Sequence, residues 1–203
     1  MTRLEFFFEF ASTYSYPAAM RIEALATQYG VDVVWTPFLL GPLFHEQQGL
    51  RDSPFNVVPE KGRYMWRDME RVCAAEELPF RRPRTFPQNG LLAARCAVSL
   101  PQRERSAFAR AVYRANFADG RDISDVSELA ELAGLSIEDV TTRSEDPDTK
   151  QKLRENTERA KAYGIFGAPS FVTADQELFW GNDRIEQALT WACSTAERKT
   201  ELA

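Results

Sequence analysis

The chain has 203 residues, 44% hydrophobic and 27% charged, which suffices for one sizeable core, or one core with a satellite helical layer. A net charge of -5 leaves no basic footprint, which argues against nucleic acid or an anionic membrane as partner. No run of about 18 apolar residues occurs, so a membrane-spanning helix is not expected either.

The opening MTRLEFFFEF meets Glu5 and Glu9 too early for a secretory leader, and Leu4 to Phe10 reads as a strand covered on both faces. Ser12, Thr13 and Ser15 interrupt the apolar run with capping residues. Ile22, Leu25, Ala26 and Tyr29 then follow at helical spacing up to Gly30. Val31 to Thr36, ending at Pro37, reads as a second strand parallel to the first, giving a βαβ opening.

From Phe38 to about Pro59 the chain reads as a long irregular loop, punctuated by Gly41, Pro42, Gly49, Pro54 and Pro59. From about Lys61 to Tyr163 every assignable segment is helical: roughly 61 to 77, 89 to 98, 103 to 117, 125 to 133, 136 to 142 and 147 to 163. After Gly164, Ser170 to Thr173 and Glu177 to Trp180 read as a hairpin, followed by a helix from about Arg184. The most economical architecture is an α/β sheet made from 1–60 and 164–203, with an all-helical insertion at about 61–163.

Ser12 lies after a buried strand and at the mouth of a helix, where backbone NH groups and the helix dipole favour an anion such as a thiolate. The alternative is that Ser12 and Ser15 only cap the helix. Pro169, in GIFGAPSF, precedes a strand; it is either an ordinary strand-start proline or a cis-proline that leaves the Ala168 backbone free to pair with an extended ligand. In FWGNDR, Asn182 or Asp183 caps the last helix or receives an amino-acid end of a ligand. His45, the single histidine, together with Asn56, Lys61 and Arg63, brackets the long loop, where such groups suit a carboxylate; solvated surface is the default for them. Cys73, Cys96 and Cys193 are odd in number and widely spaced, which points to a reducing compartment, with neither disulfides nor a metal site.

Taken in order, EFASTYSY, SPFNVVPEKGRYMWRDMER, FPQNGLLAAR, GIFGAPSF and FWGNDR resemble the 2-hydroxychromene-2-carboxylate isomerase family, of the DsbA-like and kappa-class glutathione transferase branch of the thioredoxin superfamily. The resemblance covers essentially the whole chain. It implies a thioredoxin-like (DsbA-like) fold with a helical subdomain inserted, a cytoplasmic homodimer, and glutathione as cofactor.

Residue by residue, Ser12 matches the active-site serine, where DsbA-like oxidoreductases have their first cysteine, and Ser15 the second, so a dithiol mechanism is ruled out. Pro169 matches the cis-proline, with Ala168 pairing to the cysteinyl unit of glutathione. Trp180, Gly181, Asn182 and Asp183 match the stretch that receives the γ-glutamyl end, and Asn56 a residue on the opposite wall. His45, Asn56 and Lys61 are then the candidates for a small aromatic carboxylate substrate. Thr13 departs from the family's usual proline, and His45 from its usual lysine. The implied reaction is isomerisation of 2-hydroxychromene-2-carboxylate by reversible thiolate addition. The rival readings are a kappa-like glutathione transferase and a non-catalytic DsbA-like peptide-binding module.

Overall fold

The computed structural model describes residues 2–201, and the side chains of these except 196–201. Four strands form one sheet in the order β2-β1-β3-β4, with β1 at Thr2–Phe8, β2 at Val31–Pro37, β3 at Ser170–Thr173 and β4 at Leu178–Trp180. β1 and β2 pair in parallel, while β3 is antiparallel to both β1 and β4. β1 stops two residues before the expected Phe10. The last bond on that edge is Phe38 N–H to Phe8 O, after which Glu9 to Ala11 leave the sheet.

β1 is apolar throughout its centre because both its faces are covered. Leu4, Phe6 and Phe8 join the main core with Trp35 and Phe171; the Phe6 and Trp35 rings lie 4.9 Å apart. Phe7 faces the other way, into a smaller cluster with Phe38, Ile165 and Val172. α1 (Ser15–Tyr29) joins β1 to β2 and ends at Gly30, whose φ of 64° is the left-handed stop that the glycine signalled.

The expected irregular loop is instead two helices, α2 (Leu40–Gln48) and α3 (Pro54–Val57). The residues that read as breaks are helix starts and a helix stop. Pro42 falls in the first turn of α2, Pro54 begins α3, Pro59 begins α4, and Gly49 closes α2 at φ 67°. Between β2 and β3 the described residues hold helices only: α4 (Pro59–Ala75), α5 (Leu91–Ser99), α6 (Gln102–Arg114), α7 (Val126–Ala133), α8 (Ile137–Glu145) and α9 (Pro147–Ala162). A π-helical turn, Ala115–Asp119, extends α6. Arg105 fastens this block to the sheet by donating to the carbonyls of Ala97, Val98, Leu100 and Trp35. A 3-10 turn at Asn182–Arg184 leads into α10 (Ile185–Glu201). No helix among the described residues is long and apolar enough to cross a membrane.

Candidate functional site

The site is assembled where β1 ends. The turn after the strand is held from behind by the helical block: Tyr113 donates its hydroxyl to Glu9 O at 2.8 Å, and Asn116 its amide to Phe10 O at 3.2 Å. Asn116, in the π-helical turn, is itself held by Gln88, which also bonds Arg121 O and Ile123 N–H. Such turns widen a helix locally, and here the widened turn aims an amide at the strand end.

Ser12 follows. Its hydroxyl donates to Ala168 O at 2.8 Å, across 156 residues of sequence, and accepts the Ser15 N–H at 3.3 Å. One oxygen thus holds the first N–H of α1 and reaches the distant proline loop, so a helix-end task and a site task for Ser12 are not exclusive. The Ala168-Pro169 peptide is cis, and a second cis bond joins Phe86 to Pro87. Pro169 O accepts the Gly181 N–H at 3.0 Å, which ties the proline loop to the FWGNDR stretch.

Ser12 and Ala168 lie on a cavity of about 700 Å3, within the range of small-molecule sites. Its walls are mainly apolar, with Leu39, Phe44, Phe55 and Leu91 among them. Trp180 stands half exposed at the rim, its ring 4.8 Å from that of Phe166. It packs on Gly167, where an added Cβ would come within 2.5 Å of the indole nitrogen, so only glycine admits the tryptophan there.

The structure brings Ser12, Ala168, Trp180 and Lys61 together around this cavity. Gly181, Asn182 and Asp183 follow Trp180 directly, outside the lining. Asn182 is buried, and its Oδ1 has no hydrogen-bond partner among the described residues. Asp183 is exposed and pairs with Arg184 at 2.9 Å. His45 lies on α2, exposed and outside the lining, and Asn56 turns away to the Asp52 carboxylate and Phe86 O.

Several polar groups on the lining are not singled out by the sequence, among them Glu9, Arg51, Asp52 and Gln88. For Glu9 a signal existed, namely an acid inside the apolar run EFFFEFA. Burial raises its carboxyl to about 7, against the NH groups of Ala11 and Ser12, which favour the charged form. The three cysteines do not line the cavity. Cys73 and Cys96 are buried, and burial pushes their thiols up to about 11 and about 12, so neither carries a thiolate at neutral pH.

A family profile described as a DSBA-like thioredoxin domain matches residues 3–190. The chain is 30% identical over 186 residues to a 2-hydroxychromene-2-carboxylate isomerase of Sphingobium xenophagum, covering 90% of this chain and 94% of that protein. It is 26% identical over 200 residues to glutathione S-transferase kappa 1 of Homo sapiens, with 90% and 87% covered. Among solved structures, a 2-hydroxychromene-2-carboxylate isomerase superposes with a TM-score of 0.84 at 20% identity over 99% of both chains. Cytosolic disulfide reductase DsbM from Pseudomonas aeruginosa with GSH superposes at 0.59 and 17% identity over 98% of both. With a matching profile across nearly its whole length and an isomerase relative covered almost end to end, this chain belongs to the DsbA-like thioredoxin family, in its 2-hydroxychromene-2-carboxylate isomerase group.

Proposed function

We propose that this protein is a glutathione-dependent isomerase that interconverts 2-hydroxychromene-2-carboxylate and trans-o-hydroxybenzylidenepyruvate, or a closely similar pair. The observation that carries the reading is the Ser12 hydroxyl, 2.8 Å from Ala168 O at the head of α1 and on the floor of an apolar cavity.

The residues present fit glutathione. A tripeptide needs backbone partners for its cysteinyl unit, donors for its sulfur and a polar pocket for its charged γ-glutamyl end. Ala168, Ser12 with the first turn of α1, and the Asn182 and Asp183 stretch match these needs in that order, and the unpartnered Asn182 Oδ1 is an acceptor suited to an ammonium. Bound there, glutathione supplies a nucleophilic sulfur that adds reversibly to the conjugated carbon of the substrate, making a double bond rotatable.

The chain's own residues do the rest. With glutathione bound, a cysteinyl N–H at Ala168 O would free the Ser12 hydroxyl, which would then donate to sulfur. A free thiol has a pKa of about 8.5, and a hydroxyl and helix NH groups aimed at the sulfur lower it. The apolar walls exclude water from the addition. Lys61 and Arg51, cations on the lining, give the substrate carboxylate a place to dock.

The same site would serve a glutathione transferase, and the kappa-class relatives together with the mainly apolar walls favour that as the second reading. The deciding experiment is a spectrophotometric assay of chromene isomerisation with and without glutathione, in wild type and Ser12→Ala, beside a conjugation assay with a general electrophile. Isomerisation that requires both glutathione and Ser12 is expected. Conjugation without isomerisation would leave the transferase, and neither activity would leave a binding module.

A further inference from the structure

Glu9 is not explained by the fold. Its Oε2 accepts the Ala11 N–H at 2.9 Å, a task that an uncharged side chain also performs. On the other side Gly90 packs close, its would-be Cβ 3.0 Å from Oε1. The backbone carbonyl of Glu9 is clamped twice, by Ser12 N–H at 3.0 Å and by Tyr113 at 2.8 Å, so the carboxyl is carried on a fixed stem at the Ser12 end of the cavity. Among the described residues Glu9 has no ion-pair partner, and burial alone drives its carboxyl toward the neutral form. An acid held this way costs stability, and costs of this kind gather where a proton is handled.

We propose that Glu9 receives the thiol proton of the bound glutathione, so that the cavity holds a thiolate beside a neutral carboxyl instead of two anions. The inference rests on the glutathione reading above. The step balances: the S–H bond breaks, its electron pair stays on sulfur, an O–H bond forms on Glu9, and the total charge of the pair stays at minus one. When glutathione leaves, the proton returns to sulfur. The physical reason is mutual repulsion. Two charges of one sign in an apolar cavity titrate as a pair that shares one proton.

The groups that face Glu9 leave it free to play this part. Tyr113 from α6 stays protonated, because burial and the nearby Glu9 hold its hydroxyl well above the usual tyrosine range. Gly90, at the entry to α5, and Gln88 before it are uncharged. The charged and titratable groups sharing the cavity are Tyr14 beside Ser12 and Arg51, Asp52 and Lys61 on the outer wall.

The test is a proton inventory. Glutathione is titrated calorimetrically into wild type and Glu9→Gln at about pH 8, where free Glu9 is mostly ionised, in two buffers of different ionisation enthalpy, while the ultraviolet absorbance of the thiolate is followed. S-methylglutathione, which has no thiol proton, supplies the baseline. Wild type is expected to show the thiolate with almost no proton released, and Glu9→Gln to show the thiolate with about one proton released per site. Equal release from the two proteins overturns the inference and leaves the glutathione site standing. Failure of wild type to bind glutathione brings down both. Should Glu9→Gln not fold, wild type decides alone: a full proton released together with the thiolate signal contradicts the proposal.

Discussion

The two sides of the cavity are built in opposite ways. The floor, Glu9 to Ser12 and Gly167 to Ser170, is buried or half-buried and pinned by long-range bonds: Ser12 to Ala168, Tyr113 to Glu9, Asn116 to Phe10. The outer wall is α2, which buries only Leu43, and α3, which buries nothing, with Arg51, Asp52 and Lys61 exposed between and beyond them. A floor of this kind fixes atoms for chemistry, and a loosely seated wall lets side chains change without disturbing the fold. We therefore place bond making on the floor and substrate choice on the wall.

The sharpest way to break that division is Ser12→Ala. It is expected to lower glutathione-dependent turnover about 10²- to 10³-fold, the effect of losing one donor to a developing anion, while the lost bond to Ser15 N–H costs about 1 kcal/mol in thermal unfolding. A smaller loss would mean that the helix NH groups alone suffice.

Next in size is the pH dependence of stability that Glu9 imposes. Its carboxyl is raised from 4.5 to about 7, so the folded state resists ionising it. The stabilising contribution is complete below 4.5 and is lost as pH rises through about 7. Glu9→Gln, which cannot ionise, should equal wild type in the acid range and exceed it by roughly 2–3 kcal/mol at most above pH 7, read from chemical denaturation at a series of pH values.

Gly167→Ala tests the rim. The new methyl drives Trp180 off its seat, and because that ring is half exposed the cost falls on binding: glutathione affinity drops about tenfold, with unfolding changed by less than about 1 kcal/mol. Smallest are the wall substitutions. Lys61→Ala should raise the KM for an anionic substrate about fivefold while leaving kcat and glutathione affinity unchanged, and His45→Ala, outside the lining, should change neither. A large His45 effect would extend the substrate site beyond the cavity lining to the exposed side of α2.

The same division governs how much was legible in the sequence. Ser12, Ala168 and Pro169 stand at element junctions with strong local signals, a capping residue after an apolar strand and a proline before one, and the structure joins them. The stretch from Phe38 to Pro59 reads as a loop in sequence because Pro42, Pro54 and Pro59 look like interruptions, yet proline in a first helical turn costs no hydrogen bond, and all three sit in first turns. His45 and Lys61 lie near one stretch of sequence, yet the fold leaves His45 off the cavity and keeps Lys61 on it. For Glu9 the apolar run EFFFEFA marks an acid out of place, but its setting depends on Tyr113 and Gly90, roughly a hundred residues on, and the run does not record those contacts.

The central claim, that the floor holds glutathione as a thiolate, is tested most directly by titrating the bound thiol. The ultraviolet absorbance of the glutathione complex is followed against pH in wild type and Ser12→Ala. The account predicts a thiol pKa well below the free value of about 8.5 in wild type, moving back toward it in the variant. A bound thiol that titrates like free glutathione in both proteins would contradict it.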